Sequence, residues 1–221
     1  MSNRIGLKAA YKSSGRFPAV LTALLCGLVF CSCMGMDTEV KISGDGSGTL
    51  SAQYRLSEEL VAFGELEGNK DMIPVPLSEA DVQKSLAGVK GLALKSWSSR
   101  KDGTDVLITT AIAFDSLDSL VLYLDPQGKL AIHTTAGGSQ TISFSLGDSL
   151  PDLDKDMRTA ASEAFAPYSF RFVFDLPAAP KDAKSSDPAI SVIRDGRKVR
   201  FEGKMSDIVT LEKAPSLQLS W

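Results

Sequence analysis

The sequence predicts an α+β domain behind an N-terminal export signal, and three observations carry that reading. Short runs of alternating apolar and polar residues recur from Thr38 to Ser220, most of them paired around an Asp-Gly or Gly-Gly turn, the pattern of antiparallel hairpins. Between them lie short stretches with apolar residues at helical spacing, such as Leu117, Leu120, Val121 and Leu124. Each of these would bury one face of a helix. Ahead of both, residues 17–33 form an apolar run preceded by Arg4, Lys8, Lys12 and Arg16, with no acidic residue before Asp37. The expected architecture is an antiparallel sheet built from repeated ββα units, with three or four helices packed on one face.

The first 33 residues set the compartment. A basic n-region (1–16) feeding an apolar h-region (17–30) is the pattern of a secretory signal. The run ends in Phe30-Cys-Ser-Cys33 with Gly35 behind it, which resembles a bacterial lipobox of the relaxed kind seen in spirochaete lipoproteins. That resemblance implies a signal peptide over 1–32 and lipidation at Cys33, with 33–36 as a short tether and 37–221 as one domain. Cys31 fits less well because bulky Phe30 precedes it, and Cys26 lies inside the h-region. The alternatives are an uncleaved signal anchor, since the run is near the roughly 18 residues of a membrane span, and cleavage without lipid. One acyl chain holds a protein to a membrane only marginally whereas several anchor it stably, so an acylated Cys33 implies permanent membrane attachment.

Composition narrows the function. Cys33 to Trp221 contains all 27 acidic residues and 24 − 4 = 20 of the basic ones, a formal charge of −7. With no basic run, the domain is a poor partner for nucleic acid or anionic headgroups. No cysteine follows Cys33, so stability has to come from packing rather than disulfides. The single histidine, His133, excludes His-rich metal sites and makes most acid/base triads hard to assemble. It sits on a predicted strand as a surface or rim residue.

Taken in order, Thr38 to Gly44 and Thr49 to Leu56 form a hairpin around Asp45-Gly46. The glycines there lack the Lys-Ser/Thr ending of a P-loop and the G-x-G-x-x-G spacing. A short helix follows from Ser57, its first turn acidic as the helix dipole favours. Gly64, Gly68 and Pro74-Val-Pro76 make an irregular connection. Ser78 and Asp81 form a capping box for a second helix, with Val82, Leu86 and Val89 on one face and Gly91 closing it. The next hairpin is 92–99 with 106–114 around Asp102-Gly103, followed by a helix from Ser116 to Leu124. A third hairpin, 129–135 with 140–146 around Gly137-Gly138, precedes a helix from Pro151 to Phe165. Tyr168 to Phe174 is a strand with alternating aromatics. Residues 177–189, with three prolines and no periodicity, read as a mobile loop. Ile190 to Arg194 and Lys198 to Phe201 form a last hairpin around Asp195-Gly196, and Ser216 to Trp221 alternates again.

Two motifs invite a functional reading and lack its essentials. Gly147-Asp-Ser-Leu150 spells the signature of the GDSL esterases, with Ser149 as nucleophile. A serine needs a base within hydrogen-bond reach, and no histidine follows Ser149. Asp152, Asp154, Asp156 and Glu163 copy the carboxylate spacing of an EF-hand, but Met157 stands where a glycine must turn the loop.

The layout as a whole resembles the LppM-type envelope lipoproteins. The resemblance rests on the lipobox-like Cys33, the opening hairpin Val40-Lys-Ile-Ser-Gly-Asp-Gly-Ser-Gly-Thr49, the mixed ββα body and Leu219-Ser-Trp221. It implies an exported, membrane-tethered, non-enzymatic domain that handles a lipid or glycolipid, and it carries over no binding residues, cofactor or metal. The expected function is a lipid-anchored binding domain on the periplasmic face of a bacterial membrane or the cell surface. The alternative is a structural lipoprotein with envelope protein partners and no small-molecule ligand, and the remote one is a Ser149 hydrolase.

Overall fold

The computed structural model describes residues 34–65, 76–147 and 153–221. The expected export signal, the three cysteines, the 66–75 connection and Asp148 to Asp152 lie outside them. Eleven strands form two sheets among the described residues. The first hairpin is β1 (Met34–Ile42) with β2 (Gly48–Ser57), and the second is β3 (Leu92–Asp102) with β4 (Asp105–Phe114). These join β7 (Ser169–Asp175), β10 (Lys198–Lys204) and β9 (Ser191–Asp195) in a seven-stranded sheet of order β3-β4-β2-β1-β7-β10-β9. The third hairpin, β5 (Ala131–Ala136) with β6 (Ser139–Ser145), pairs with β11 (Ser216–Ser220) and β8 (Asp182–Ser185) in a four-stranded sheet of order β5-β6-β11-β8. Every pair is antiparallel except β1 with β7, where Met36 to Lys41 run parallel to Phe170 to Asp175.

The chain therefore folds into two sheets where one was expected, and packing explains why. In the large sheet the buried residues of β1, β2 and β7, and all those of β4 except Leu107, are even-numbered, among them Val40, Leu50, Ile112 and Phe172. β10 contributes Val199 and Phe201 to the same core. Seven strands with one apolar face need a broad cover, and eight-residue helices are only about 12 Å long. The small sheet supplies it: Ile142, Phe144, Leu217 and Leu219 are buried in the same cluster as that face. Phe144 meets Phe172 at 5.0 Å and Phe201 edge-on at 6.5 Å, and Phe172 stacks on Phe174 at 4.6 Å.

Four helices of two or more turns accompany the sheets: α1 (Glu58–Glu65), α2 (Glu79–Leu86), α3 (Leu117–Leu124) and α4 (Lys155–Phe165). A single turn, α5 (Met205–Ile208), was not anticipated from the sequence. α2 has the expected capping box, in which Ser78 Oγ accepts from Asp81 N at 3.2 Å while the Asp81 carboxylate takes the Ser78 N–H at 3.1 Å. Ser116 caps α3, and Asp154 caps α4 through Met157 N at 2.9 Å. Val82 and Leu86 of α2 and Leu117 and Leu120 of α3 join the main core.

Two segments differ from their expected form. β1 begins at Met34, so most of the 33–36 tether is strand, held in register from Met34↔Leu56 to Ile42↔Gly48. The 177–189 segment contains β8, which lies on β11. Lys181 N donates to Ser220 O at 2.7 Å, and Ser186 N donates to Ser216 O at 2.9 Å. The alternation visible in β11 organises this neighbour, which has none of its own. Gly48 is required where the first hairpin closes, because a Cβ there would fall 1.9 Å from the Lys41 carbonyl oxygen.

Candidate functional site

The site with the most functional side chains lies at the turn end of β1 and β2. Ser43 to Ser47 form the turn, with Ser43 N donating to Ser47 O at 2.8 Å. Asp45 accepts from Ser47 Oγ at 2.7 Å and Ser47 N at 3.0 Å. The Ser47 hydroxyl and then its N–H hold the Asp45 carboxyl below the usual carboxylate range. Facing this turn are the start of α3, the β5/β6 hairpin, Pro177 and Trp221, which together enclose a notch of about 220 Å³.

His133 stands in the wall of the notch, in the rim position expected for it. Its Nδ1 lies 2.7 Å from Asp118 Oδ1 and its Nε2 lies 2.7 Å from Gln140 Oε1. Gln140 is fixed in turn: Thr135 Oγ1 donates to the same Oε1 at 2.7 Å, and the Gln140 main chain exchanges hydrogen bonds with Trp221 at 3.0 and 3.1 Å. Alternation puts His133 and Thr135 on one face of β5 with Ala131, but Asp118 and Gln140 reach the imidazole only through folding. Sequence reading missed both partners.

This arrangement is poorly built for catalysis. Both imidazole nitrogens are engaged, and neither faces a hydroxyl nucleophile. Ser116 Oγ is occupied at 2.9 Å by Ser119 Oγ and accepts the Ser119 N–H as a helix cap. Asp118 is 85% exposed on its side chain, so it resembles a solvated carboxylate more than a buried orienting group. Ser149 lies outside the described residues, and Gly147 accepts from Ser145 Oγ at 2.8 Å. Asp154 is a helix cap, while Asp156 and Glu163 lie within α4. Their carboxylates do not gather, and no cluster of potential metal ligands occurs among the described residues. Two half-buried phenols, Tyr54 of β2 and Tyr123 of α3, pack against the core. Burial, with a contribution from Tyr123, pushes Tyr54 up to about 12, and burial also raises Tyr123. Both stay protonated at neutral pH and supply no base.

The opposite, solvent-facing side of the large sheet is charged and internally paired. Arg171 bonds Asp37, Arg55 spans Asp102 at 2.6 Å and Asp105 at 3.2 Å, Lys198 reaches Glu39 at 3.4 Å, and Arg200 meets Glu202 at 2.8 Å. Hydrogen bonds donated to Asp105 and Asp102 hold Arg55 more firmly protonated, and one donated to Asp37 does the same for Arg171. Shallow hollows of about 230 and 180 Å³ on this face are lined by these pairs. With the two signs matched side by side, the face presents no single-sign field to steer a charged ligand.

No helix among the described residues is long and apolar enough to cross a membrane. Cys33, Cys31 and Cys26 lie outside the described residues. No protein-family model matches the chain, and no curated protein is significantly similar to it.

Proposed function

We propose that this chain is an exported lipoprotein, anchored by lipid on Cys33, whose domain is non-enzymatic and works by binding at a bacterial membrane or cell surface. The observation that supports this most directly is the position of the described fold relative to Cys33. β1 is already strand at Met34, directly behind the lipobox-like cysteine, and every described element lies on the C-terminal side of Cys33. Cleavage before Cys33 would remove the basic and apolar leader and leave every described strand intact. The ββα succession belongs to the same reading, as three units of which two contribute their hairpins to the large sheet and one to the small sheet.

Of the two non-enzymatic forms, packing favours partner binding over carriage of a lipid. Pockets for small molecules typically offer about 300–1,000 Å³ of mostly apolar space. Here the inter-sheet space is filled by phenylalanine rings at 4.6 to 6.5 Å. A hollow of about 430 Å³ is a surface groove whose lining includes Arg171, Glu202, Lys204 and Asp207. A lipid or glycolipid ligand would accordingly bind at the surface.

The test is metabolic labelling with a palmitate analogue in a bacterial host, combined with detergent-phase partitioning. The parent chain is expected to take up label and enter the detergent phase, and Cys33→Ser to lose both label and processing. Label retained by Cys33→Ser would overturn the assignment.

A further inference from the structure

Two sheets leave four edge strands, and a free edge is a template for pairing with another chain unless it is protected. Three of the four carry protection. β3 has a bulge between Leu94 and Ser96 and the charged run Arg100-Lys-Asp102. β9 ends on Arg194-Asp195. β8 is four residues long, contains Asp182 and Lys184, and is flanked by Pro180 and Pro188. β5, Ala131-Ile-His-Thr-Thr-Ala136, has no Lys, Arg, Asp, Glu or Pro, and its register with β6 is unbroken.

Its outer main chain is also unpaired. Ser145 N donates to Leu130 O at 2.7 Å, and in an antiparallel ladder hydrogen-bonded pairs alternate. Ile132, Thr134 and Ala136 therefore bond to β6, and the N–H and C=O groups of His133 and Thr135 face the other way. Asp125 takes the outward N–H of Ala131 at 2.9 Å. The main chains of His133 and Thr135 have no hydrogen-bond partner among the described residues. Beside this edge, Ile132 is 57% exposed, and Leu122 and Leu124 of the adjoining α3 are 46% and 36% exposed. Ile193 is the one other large apolar side chain so exposed among the described residues.

We propose that β5 is a self-association edge, pairing antiparallel with β5 of a second copy about a two-fold axis at Thr134. In this register His133 lies opposite Thr135 of the second copy, and the reciprocal pair closes by symmetry, as an isologous interface requires. Every outward group named above gains a partner, and the two small sheets become one of eight strands. Charge selects the occupant. A second β5 opposes no like charges, whereas each of the other three edges of this chain would bring charged side chains into the pair. The apolar Ile132, Leu122 and Leu124 of both copies would flank the seam.

The register is tested with full-length protein in detergent. Opposed residues in a non-hydrogen-bonded pair have Cα atoms about 4.5 Å apart, within disulfide range. Thr134→Cys is expected to give a reducible dimer band several-fold stronger than the parent chain, whose own cysteines set the background. Thr141→Cys, on the neighbouring central strand, should match that background. Light scattering corrected for detergent should give two copies for the parent and one for Ile132→Lys, a change at an exposed position that leaves the core alone. A parent that scatters as one copy, or a Thr134→Cys band no stronger than background, would overturn the proposal. So would co-purification of β5 with a strand of a different protein.

Discussion

Asp125 is a carboxylate with 4% of its surface exposed, held by main-chain donors rather than by a cation. Ala131 N donates to it at 2.9 Å, and Leu130 N donates to the same oxygen. Burial pushes its carboxyl up, but hydrogen bonds from Ala131, Leu130, Gln127 and Lys129 outweigh that and hold it below the ordinary 3.8. A carboxyl depressed in the folded state binds protons more readily when unfolded. Its stabilisation is therefore complete above the ordinary pKa and is lost as pH falls through the folded-state value. Asp125→Asn should melt at a lower temperature than the parent at neutral pH, with the gap narrowing below about pH 3.8, as followed by circular dichroism. A gap that stays constant on acidification would show that the charge is not what the loop uses. Nothing in the local sequence separates Asp125 from the solvated Asp118. The difference arises because the chain folds back to place Leu130 and Ala131 over one and leaves the other exposed beside His133.

Elements whose cause is local were legible, and those whose cause is a neighbour were not. α2 follows from Ser78-x-x-Asp81 and the spacing of Val82 and Leu86, all within a dozen residues. Ser78→Ala should cost about 1 kcal/mol of stability, measured by urea denaturation, with unchanged cooperativity because the buried face is untouched. β8 is the opposite case, since its four residues carry no alternation and become a strand only through β11. β3 falls between the two. Leu94 pairs with Ile112 and Trp97 with Thr110, so both half-buried side chains pack against the core, yet they are three residues apart. The bulge at Lys95 absorbs the extra residue. A period-two reading of that stretch puts Leu94 and Trp97 on opposite faces, and the pairing with β4 puts them on the same one.

At the scale of the molecule, lipid on Cys33 would fix orientation as well as location. With strand from Met34 onward there is little slack between anchor and fold. The nine residues of β1 span about 26 Å at ~3.3 Å per step. Cross-strand register puts Lys101 level with Val106, Leu56 and Met34 at one end, and the Ser43 to Ser47 turn with the His133 notch at the other. In vesicles carrying the acylated protein, a fluorophore at Lys101→Cys should be strongly quenched by headgroup nitroxides, and one at Ser47→Cys should not. Equal quenching at both sites would mean that the domain lies flat or swings freely.

The hairpins, the capped helices and the turn glycines were legible in the chain alone, because alternation, capping and turn chemistry act over a few residues. The tertiary structure decided that there are two sheets rather than one, that β1 runs parallel to β7, that β8 exists, and that His133 meets Asp118 and Gln140. Each of those depends on which distant surface covers an exposed apolar face or an unpaired edge. That is a property of the assembled molecule, with no period or spacing in the chain to announce it.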